Sequence, residues 1–409
     1  AALSEANAER LTATLCRMRG AALKLGQVAS IQDVSVLPEP LPSLLKRVRD
    51  DADVMPVTQQ RAVLTEELGD WQHKFAVFDE APIAAASIGQ VHRAVLPDGR
   101  VVAVKLQYPG VADAVDSDLS SLRTLLSLLP LPPSLFIERI LEFARAELRR
   151  ECDYNNEAKF QEEMRHLIAN DPTLSQRFYV PAVVPELSTR RVLVSEMVRG
   201  VPLDQLQHLP QEERDSIAQA LFELTMRELF EFRLMQTDPN WSNFLYDEET
   251  RSIALIDFGA TSHFAETFAD DYLQLVLACA DNDHDRIKEF STRLGFMTGE
   301  EGDSLQTKYA LAGAAIGLPF RKEHNEEGGF DFRQPDIMSR MSAYASDIMR
   351  ERHTPPPVEA YSLHRKLTGA FLTAIKLRAR VDCRASLQRM HAAFLRRQQQ
   401  RLQQRPELE

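Results

Sequence analysis

Cysteine is scarce in this chain of 409 residues. Cys16, Cys152, Cys279 and Cys383 stand far apart and form no CxxC pair. That spacing indicates neither a zinc site nor a disulfide frame, and it fits a reducing compartment. Long apolar runs are also missing. The longest, Tyr309–Phe320, falls well short of the ~20 residues a membrane-spanning helix needs. Nor is there an excess of basic residues: 48 Lys and Arg face 60 Asp and Glu, for a formal charge of −12. That balance argues against nucleic acid as the main partner. The chain opens AALSEANAERL, without an initiator Met or a signal-like apolar core. A mature or trimmed form is therefore expected, with any targeting or anchor segment upstream.

What is present is the balance of an ordinary soluble globular chain, 44% hydrophobic and 26% charged. The length suits two or three lobes of roughly 150 residues each. The charge is uneven. Between Lys376 and Arg405 there are nine basic residues and one acidic, Asp382. A solvated helix face is the preferred account of this tail, and contact with anionic lipid is the alternative.

Apolar residues at three- and four-residue steps predict a helix over residues 4–32, closed by VLPEPLP. Residues 43–75 read as helical again, with an interruption at Met55-Pro56. The period then changes. AAASIGQVHRAVLPDGRVVAVKLQYPG predicts two strands around the tight turn Pro97-Asp98-Gly99. Residues 112–170 return to helix, broken at PLPP, and VPELSTRRVLVSEMVRG suggests two more strands ending at Gly200. Helix is expected over 204–235, then a loop and a strand pair. Almost everything after residue 263 reads as helical, with a proline interruption at 355–357. The expected order is a helical extension over 1–80, a small strand-rich lobe over 81–198 and a large helical lobe over 199–409.

Val101-Val102-Ala103-Val104-Lys105 is a buried-type strand that ends in lysine. A buried ammonium must be paired, and holding nucleotide phosphates would give it a purpose. An edge-strand lysine reaching to water is the plainer account. One strand earlier lie Ala84, Ala85, Ala86, Ser87, Ile88, Gly89 and Gln90, where a glycine-rich phosphate loop would sit. Alanine largely replaces glycine there, so the turn should be stiffer. Downstream, Glu151, Asp153 and Glu157 crowd one short stretch. Asp153 and Glu157, at i and i+4 of a helix, should repel by a few tenths of a kcal/mol unless cations such as Lys105 or Lys24 sit nearby. Lys24 and Gln27 share a helix face at i,i+3. Asp238 and Asn243 then stand five positions apart, and the strand IALI delivers Asp257-Phe258-Gly259. This is the spacing of a kinase catalytic loop followed by its metal-binding aspartate. A carboxylate and an amide are hard oxygen ligands that suit Mg2+. Glu196, Met197 and Val198 link the last strand to the helical lobe and are candidates for adenine contacts through their backbone.

Together, Lys24-Leu25-Gly26-Gln27, the alanine-rich loop Ala84–Gln90, Glu151-Cys152-Asp153 and the Asp238, Asn243 and Asp257 set resemble the UbiB family of atypical protein-kinase-like proteins. QYPGV, ELFEFRLMQTDPNWSNFLYD and YSLHRKL look like its branch supporting mitochondrial coenzyme Q synthesis. The resemblance implies an α+β, protein-kinase-like two-lobe fold with a helical N-terminal extension and a mostly helical C-lobe. It implies Mg2+ and ATP or ADP bound between the lobes, with Asn243 and Asp257 on the metal, Lys105 on the phosphates, Glu157 aligning Lys105, and Asp238 as base. It also implies that Lys24 and Gln27 face Glu151 and Asp153 across the cleft, gating it against peptide substrates. ATP hydrolysis in support of coenzyme Q (ubiquinone) biosynthesis is expected, on the matrix side of the inner mitochondrial membrane. The expected partners are the biosynthetic enzymes, anionic lipid and quinone precursors, with a homodimer as a further option. A nucleotide-gated scaffold and a small-molecule or lipid kinase are the alternatives. The chain departs from ordinary kinases in two places. Thr237 stands where they carry arginine before the catalytic Asp, and no APE signal follows Gly259. Control by activation-loop phosphorylation is therefore not expected.

Overall fold

The computed structural model describes residues 54–404, apart from Ser87, 128–132, Glu327, 335–336 and Ser342. The helix expected over 4–32, with Lys24 and Gln27 on it, lies outside the described residues. Helix α1 (Val57–Leu68) precedes strands β1 (Val77–Phe78), β2 (Ala84–Ala85), β3 (Gly89–Val95) and β4 (Val101–Gln107). Helices α2 (Val111–Ser127), α3 (Ile137–Glu151) and α4 (Tyr154–Ala169) follow, then β5 (Phe178–Tyr179), β6 (Val192–Glu196) and β7 (Val201–Pro202). Helix α5 (Gln211–Arg227) runs through a π-helical turn, Glu228–Phe232, to β8 (Leu234–Gln236). Next come β9 (Phe244–Asp247), β10 (Ser252–Leu255) and β11 (Thr261–His263). The remainder is α6 (Glu266–Asp281), α7 (His284–Arg293), α8 (Asp303–Ile316), β12 (Phe330–Asp331), α9 (Ile337–Met341), α10 (Ala345–Glu351), α11 (Val358–Lys376), β13 (Arg380–Val381) and α12 (Cys383–Gln404).

These elements form two compact units. One comprises the described residues up to Val201 together with Asn243–Ala260; the other comprises Pro202–Ser242 and the described residues from Thr261 onward.

The first unit is built on an antiparallel sheet ordered β1-β3-β4-β6, with β2 also pairing with β3. The predicted hairpin forms in register, Val95 opposite Val101, and Gly99 takes the positive φ of 88° that its turn needs. Strand alternation then sorts β4 into two faces. Val102, Val104 and Leu106 are fully buried, against a core of Leu64, Trp71, Phe75 and Val194 among others. Ala103 and Lys105 point the other way. A second sheet, β5-β10-β9-β7, pairs β9 and β10 as an antiparallel hairpin.

Four local readings change. The helix expected through 112–170 breaks not only before Ile137 but also at Cys152-Asp153. Asp153 is an N-cap: its carboxylate accepts from the Asn155 amide at 3.0 Å, which begins a new helix. Asp153 therefore does not share a helical face with Glu157, and the expected repulsion gives way to a favourable anion at a helix start. Of the two strands expected in VPELSTRRVLVSEMVRG only β6 forms, because Pro185–Leu187 closes into a 3-10 turn. The helix expected over 204–235 starts as a 3-10 stretch, Leu203–His208, and ends in the π-turn and β8. The region after residue 263 contains the pair β12–β13, each strand too short to show a period.

In the second unit the basic tail becomes α12, and its arginines face carboxylates on other helices. Arg389 pairs with Glu223 of α5 at 2.7 Å; Arg384 and Arg397 pair with Asp281 and Asp270 of α6 at 3.2 and 3.3 Å. The local charge excess is thus partly matched across packed helices rather than wholly presented to solvent.

Candidate active site

Lys105 lies on the face of β4 opposite the apolar core, and α4 brings Glu157 to it. Glu157 sits in the first turn of α4, so the Asp153 cap sets its position. The Lys105 ammonium donates to both Glu157 oxygens, at 2.8 and 2.9 Å, and stands 3.7 Å from Asp257 Oδ2. The segment after β10 closes the cluster. The Phe258 amide donates to Glu157 Oε1 at 3.4 Å, the Gly259 amide to Asp257 Oδ1 at 3.0 Å, and the Phe258 ring is fully buried.

The Tyr154 ring supports the ammonium from one side, with Nζ 5.2 Å from the ring centroid. Gly89 permits this packing. A Cβ there would stand 2.2 Å from the Leu106 carbonyl oxygen and 2.8 Å from Tyr154 Oη.

Burial works against the charge of Lys105, but the Asp257 and Glu157 carboxylates outweigh it and hold the ammonium well above its usual range. Burial pushes the Glu157 carboxyl up; Lys105 opposes this and Asp257 adds to it. Among the described residues two carboxylates thus face the Lys105 ammonium, in a site where Asp257 remains 32% exposed.

Asn243 reaches this unit through the β9–β10 hairpin. The Ile256 amide donates to its carbonyl at 3.1 Å, which places Asn243 beside the residue preceding Asp257. The fourteen-residue interval between Asn243 and Asp257 in the sequence is the length of this hairpin. Glu151 borders the same cluster: a Cβ on Gly259 would lie 3.4 Å from Glu157 Oε2 and 3.7 Å from Glu151 Cγ. The Asp153 carboxylate is turned to its own helix end.

The alanine-rich loop is a tight hairpin. Ala84 and Ala85 pair with Val91 and Gln90, and the Ala86 amide donates to the Gly89 carbonyl at 2.8 Å. Ala84 and Ala85 are exposed and Ala86 half-buried, whereas Ile88 and Gln90 are buried; Ser87 lies outside the described residues. The Gln90 side chain faces inward, accepting from the Met55 amide at 3.0 Å and contacting His92 Nε2 at 2.8 Å. In the linking segment the Glu196 amide donates to Ala182 and the Met197 amide to Val101. The Glu196 carboxylate accepts from Tyr179 Oη and the Ala182 amide. Of the backbone groups expected to meet adenine, the Glu196 and Met197 amides are thus already engaged within the first unit.

Asp238 belongs to the second unit. It is half-buried and lies just after β8. Beside it, Thr237 is fully buried. Its carbonyl accepts from Arg365 Nε and its hydroxyl from Arg365 Nη2, both at 2.9 Å. Sequence reasoning missed Arg365 because it lies 128 positions away, and missed Tyr154 because a buried aromatic reads as core. Gly369, in the interior of α11, was the one local signal of a close approach on that helix.

Among the described residues no group of three or more His, Cys, Asp and Glu is poised to hold a metal. The Asp257 carboxylate and Asn243 amide fit Mg2+, which binds through one or two protein oxygens and completes its shell with water and phosphate.

An antiparallel sheet whose lysine is clamped by a helix glutamate, with an Asp-Phe-Gly segment anchored by its buried Phe258 beside the pair, defines a kinase-like protein. The ABC1 atypical kinase-like domain model matches residues 47–291. The chain is 48% identical over 384 residues to rat "Atypical kinase COQ8B, mitochondrial", covering 93% of this chain and 71% of that one. It is 45% identical to the zebrafish COQ8B protein, covering 98% of this chain and 63% of that one. It is 41% identical to "Atypical kinase COQ8, mitochondrial" of Saccharomyces cerevisiae, covering 93% and 75%. Among solved structures, that of Rv3197 from Mycobacterium tuberculosis, in complex with erythromycin, is similar at a TM-score of 0.64 and 27% identity, covering 94% of this chain and 95% of that one. The chain belongs to the ABC1 atypical kinase-like family, the UbiB family of the sequence motifs. Among the described residues no helix is long and apolar enough to cross a membrane.

Proposed function

We propose that the protein binds Mg2+ with ATP or ADP and hydrolyses ATP in support of coenzyme Q biosynthesis, on the matrix side of the inner mitochondrial membrane. The observation that carries this reading is the convergence of Lys105, Glu157 and Asp257, with Asp257 partly open to solvent. In this reading Glu157 keeps the Lys105 ammonium oriented toward the phosphates. Asp257 and Asn243 would hold Mg2+, which when bound supplies neutralisation of phosphate charge. Asp238 accepts the proton of the attacking water or hydroxyl. The alanine-rich hairpin, with Ala84 and Ala85 exposed, covers the phosphates, and the segment Glu196–Val198 borders the base. Lys24 and Gln27 gate the cleft against Glu151 and Asp153.

The names of the rat and yeast relatives, atypical kinases of the mitochondrion, support the compartment and the reaction class. Anionic lipid, quinone precursors and the enzymes that modify them are the partners of this reading.

Nucleotide turnover by the purified protein tests it, measured with and without anionic liposomes and a quinone-precursor mimic, beside Asp257→Asn. Metal-dependent hydrolysis that rises with the liposomes and disappears in the variant is expected. An Asp257→Asn protein that still binds nucleotide and still restores quinone synthesis would turn the conclusion to a nucleotide-gated scaffold.

A further inference from the structure

Helix α11 contains glycine in its interior, where that residue is disfavoured. The reason lies in the loop packed against it. A Cβ on Gly369 would stand 2.0 Å from Pro239 Cβ and 2.8 Å from Pro239 Cγ. One turn earlier, Arg365 donates to the Thr237 carbonyl and hydroxyl. One turn later, Thr373 Oγ1 accepts from the Trp241 indole at 2.8 Å while donating to the Gly369 carbonyl at 2.8 Å. At the end of the helix the Lys376 ammonium lies 3.9 Å from the Trp241 ring centroid.

The two spacings match. Residues 365, 369, 373 and 376 recur at four, four and three, which is one stripe along a helix. Their partners 237 and 239 lie two apart in an irregular loop, and the third, Trp241, opens a 3-10 turn, Trp241–Asn243. Each turn of the helix, ~6 Å for four residues, thus meets every second residue of the loop. Alternation places Asp238 and Asn240 off the helix-facing side; Asn240 is exposed and Asp238 half-buried. The entry to the loop is fixed as well. Lys366 pairs with Glu228 at 3.0 Å and donates to Gln236 Oε1 at 3.3 Å, while the Gln236 amide donates to Glu228 Oε1 at 3.3 Å.

We infer that α11 is a splint for the loop carrying Asp238, and that Arg365 on it is a positioning residue standing in for the arginine that ordinary kinases place just before the catalytic aspartate. The inference rests on the reading of Asp238 as base. Where an arginine within the loop would act locally, a guanidinium from a distant helix here grips the Thr237 backbone and hydroxyl together. The planar fork makes both bonds at once, which lysine cannot reproduce.

Trp71 and Trp241 are the only tryptophans, so a Trp71→Phe background makes Trp241 a reporter of the loop. In that background Gly369→Ala and Thr373→Val should raise quenching of Trp241 by acrylamide. Gly369→Ala should lower kcat at least ~10-fold, the scale of a misplaced reacting group, with nucleotide affinity unchanged. Arg365→Lys should lose as much turnover as Arg365→Gln. Adding Gly369→Ala to Asp238→Asn should cost nothing further, because the splint acts only through the aspartate. Thr373→Val removes a single hydroxyl and carries the measurement if Gly369→Ala fails to fold. Unchanged quenching, a fall in nucleotide affinity equal to the fall in turnover, or an additive loss on Asp238→Asn would each overturn the splint. Full turnover by Asp238→Asn alone would instead remove the base reading, and the quenching result would then decide the splint by itself.

Discussion

Lys105 and Lys366, the first half-buried and the second buried, are each paired with a buried glutamate, one in each unit, and they differ in their third neighbour. Lys366 and Glu228 are 5% and 1% exposed, and Lys366 also meets the neutral amide of Gln236. That cluster balances its charge and is sealed. Lys105 and Glu157 are 15% and 2% exposed, and Lys105 also meets a second carboxylate, Asp257, 32% exposed. That cluster brings a second carboxylate to the ammonium and opens to water. A buried ion pair by itself is weak evidence for either stability or function. The second carboxylate and its exposure distinguish a site prepared for a cation from a brace.

The largest expected effect tests the brace. Lys366→Met leaves Glu228 buried and uncompensated and should cost about 3–5 kcal/mol, read as a lowered urea midpoint. Adding Glu228→Leu should recover most of that loss, and a double variant no better than the single would break the comparison. Next comes the second carboxylate. Asp257→Asn should lower turnover about 100-fold or more, equal to roughly 2.7 kcal/mol, without lowering the melting temperature, because Glu157 still pairs Lys105 and Asp257 is partly exposed. A matching loss of stability would make Asp257 structural.

The third prediction concerns pH. His364 of α11 stacks on Phe296 at 5.4 Å between ring centroids, and burial pushes its imidazole down to about 4. The unfolded chain takes up this proton near pH ~6.5 while the folded chain refuses it. The contribution of His364 is therefore complete above ~6.5 and is lost as pH falls toward 4. Melting curves across that window should flatten in His364→Phe. Glu157, pushed up rather than down, acts in the opposite direction: its cost grows as pH rises above the ordinary carboxylate range. The smallest effect belongs to the surface. Arg389, 47% exposed, pairs with Glu223 on the packed helices of the second unit. Arg389→Ala should change stability by less than about 1 kcal/mol, and a larger loss would show that α12 is held by charge rather than by its apolar face.

Much of the first unit was legible because its signals are local. The hairpin of β3 and β4 follows from alternation and the Pro-Asp-Gly turn, and the metal candidates follow from a loop and strand of characteristic spacing. The break at Asp153 was hidden, since apolar spacing continues on both sides of it and only the cap hydrogen bond marks the new helix. The partners of Asp238 were hidden for a different reason. Arg365 and Gly369 lie more than a hundred residues downstream on a helix whose stripe reads simply as core.

The sequence by itself determined the residue types and the short-range order of the candidate site, because strand period, turn chemistry and motif spacing are written within a few residues of one another. Only the tertiary structure decided which lysine meets which carboxylates, that Asp153 caps a helix instead of facing Glu157, and that α11 carries the loop of Asp238. Those outcomes depend on which face of one element packs against another, and the energies that select the packing come from burial and pairing between residues far apart in the chain.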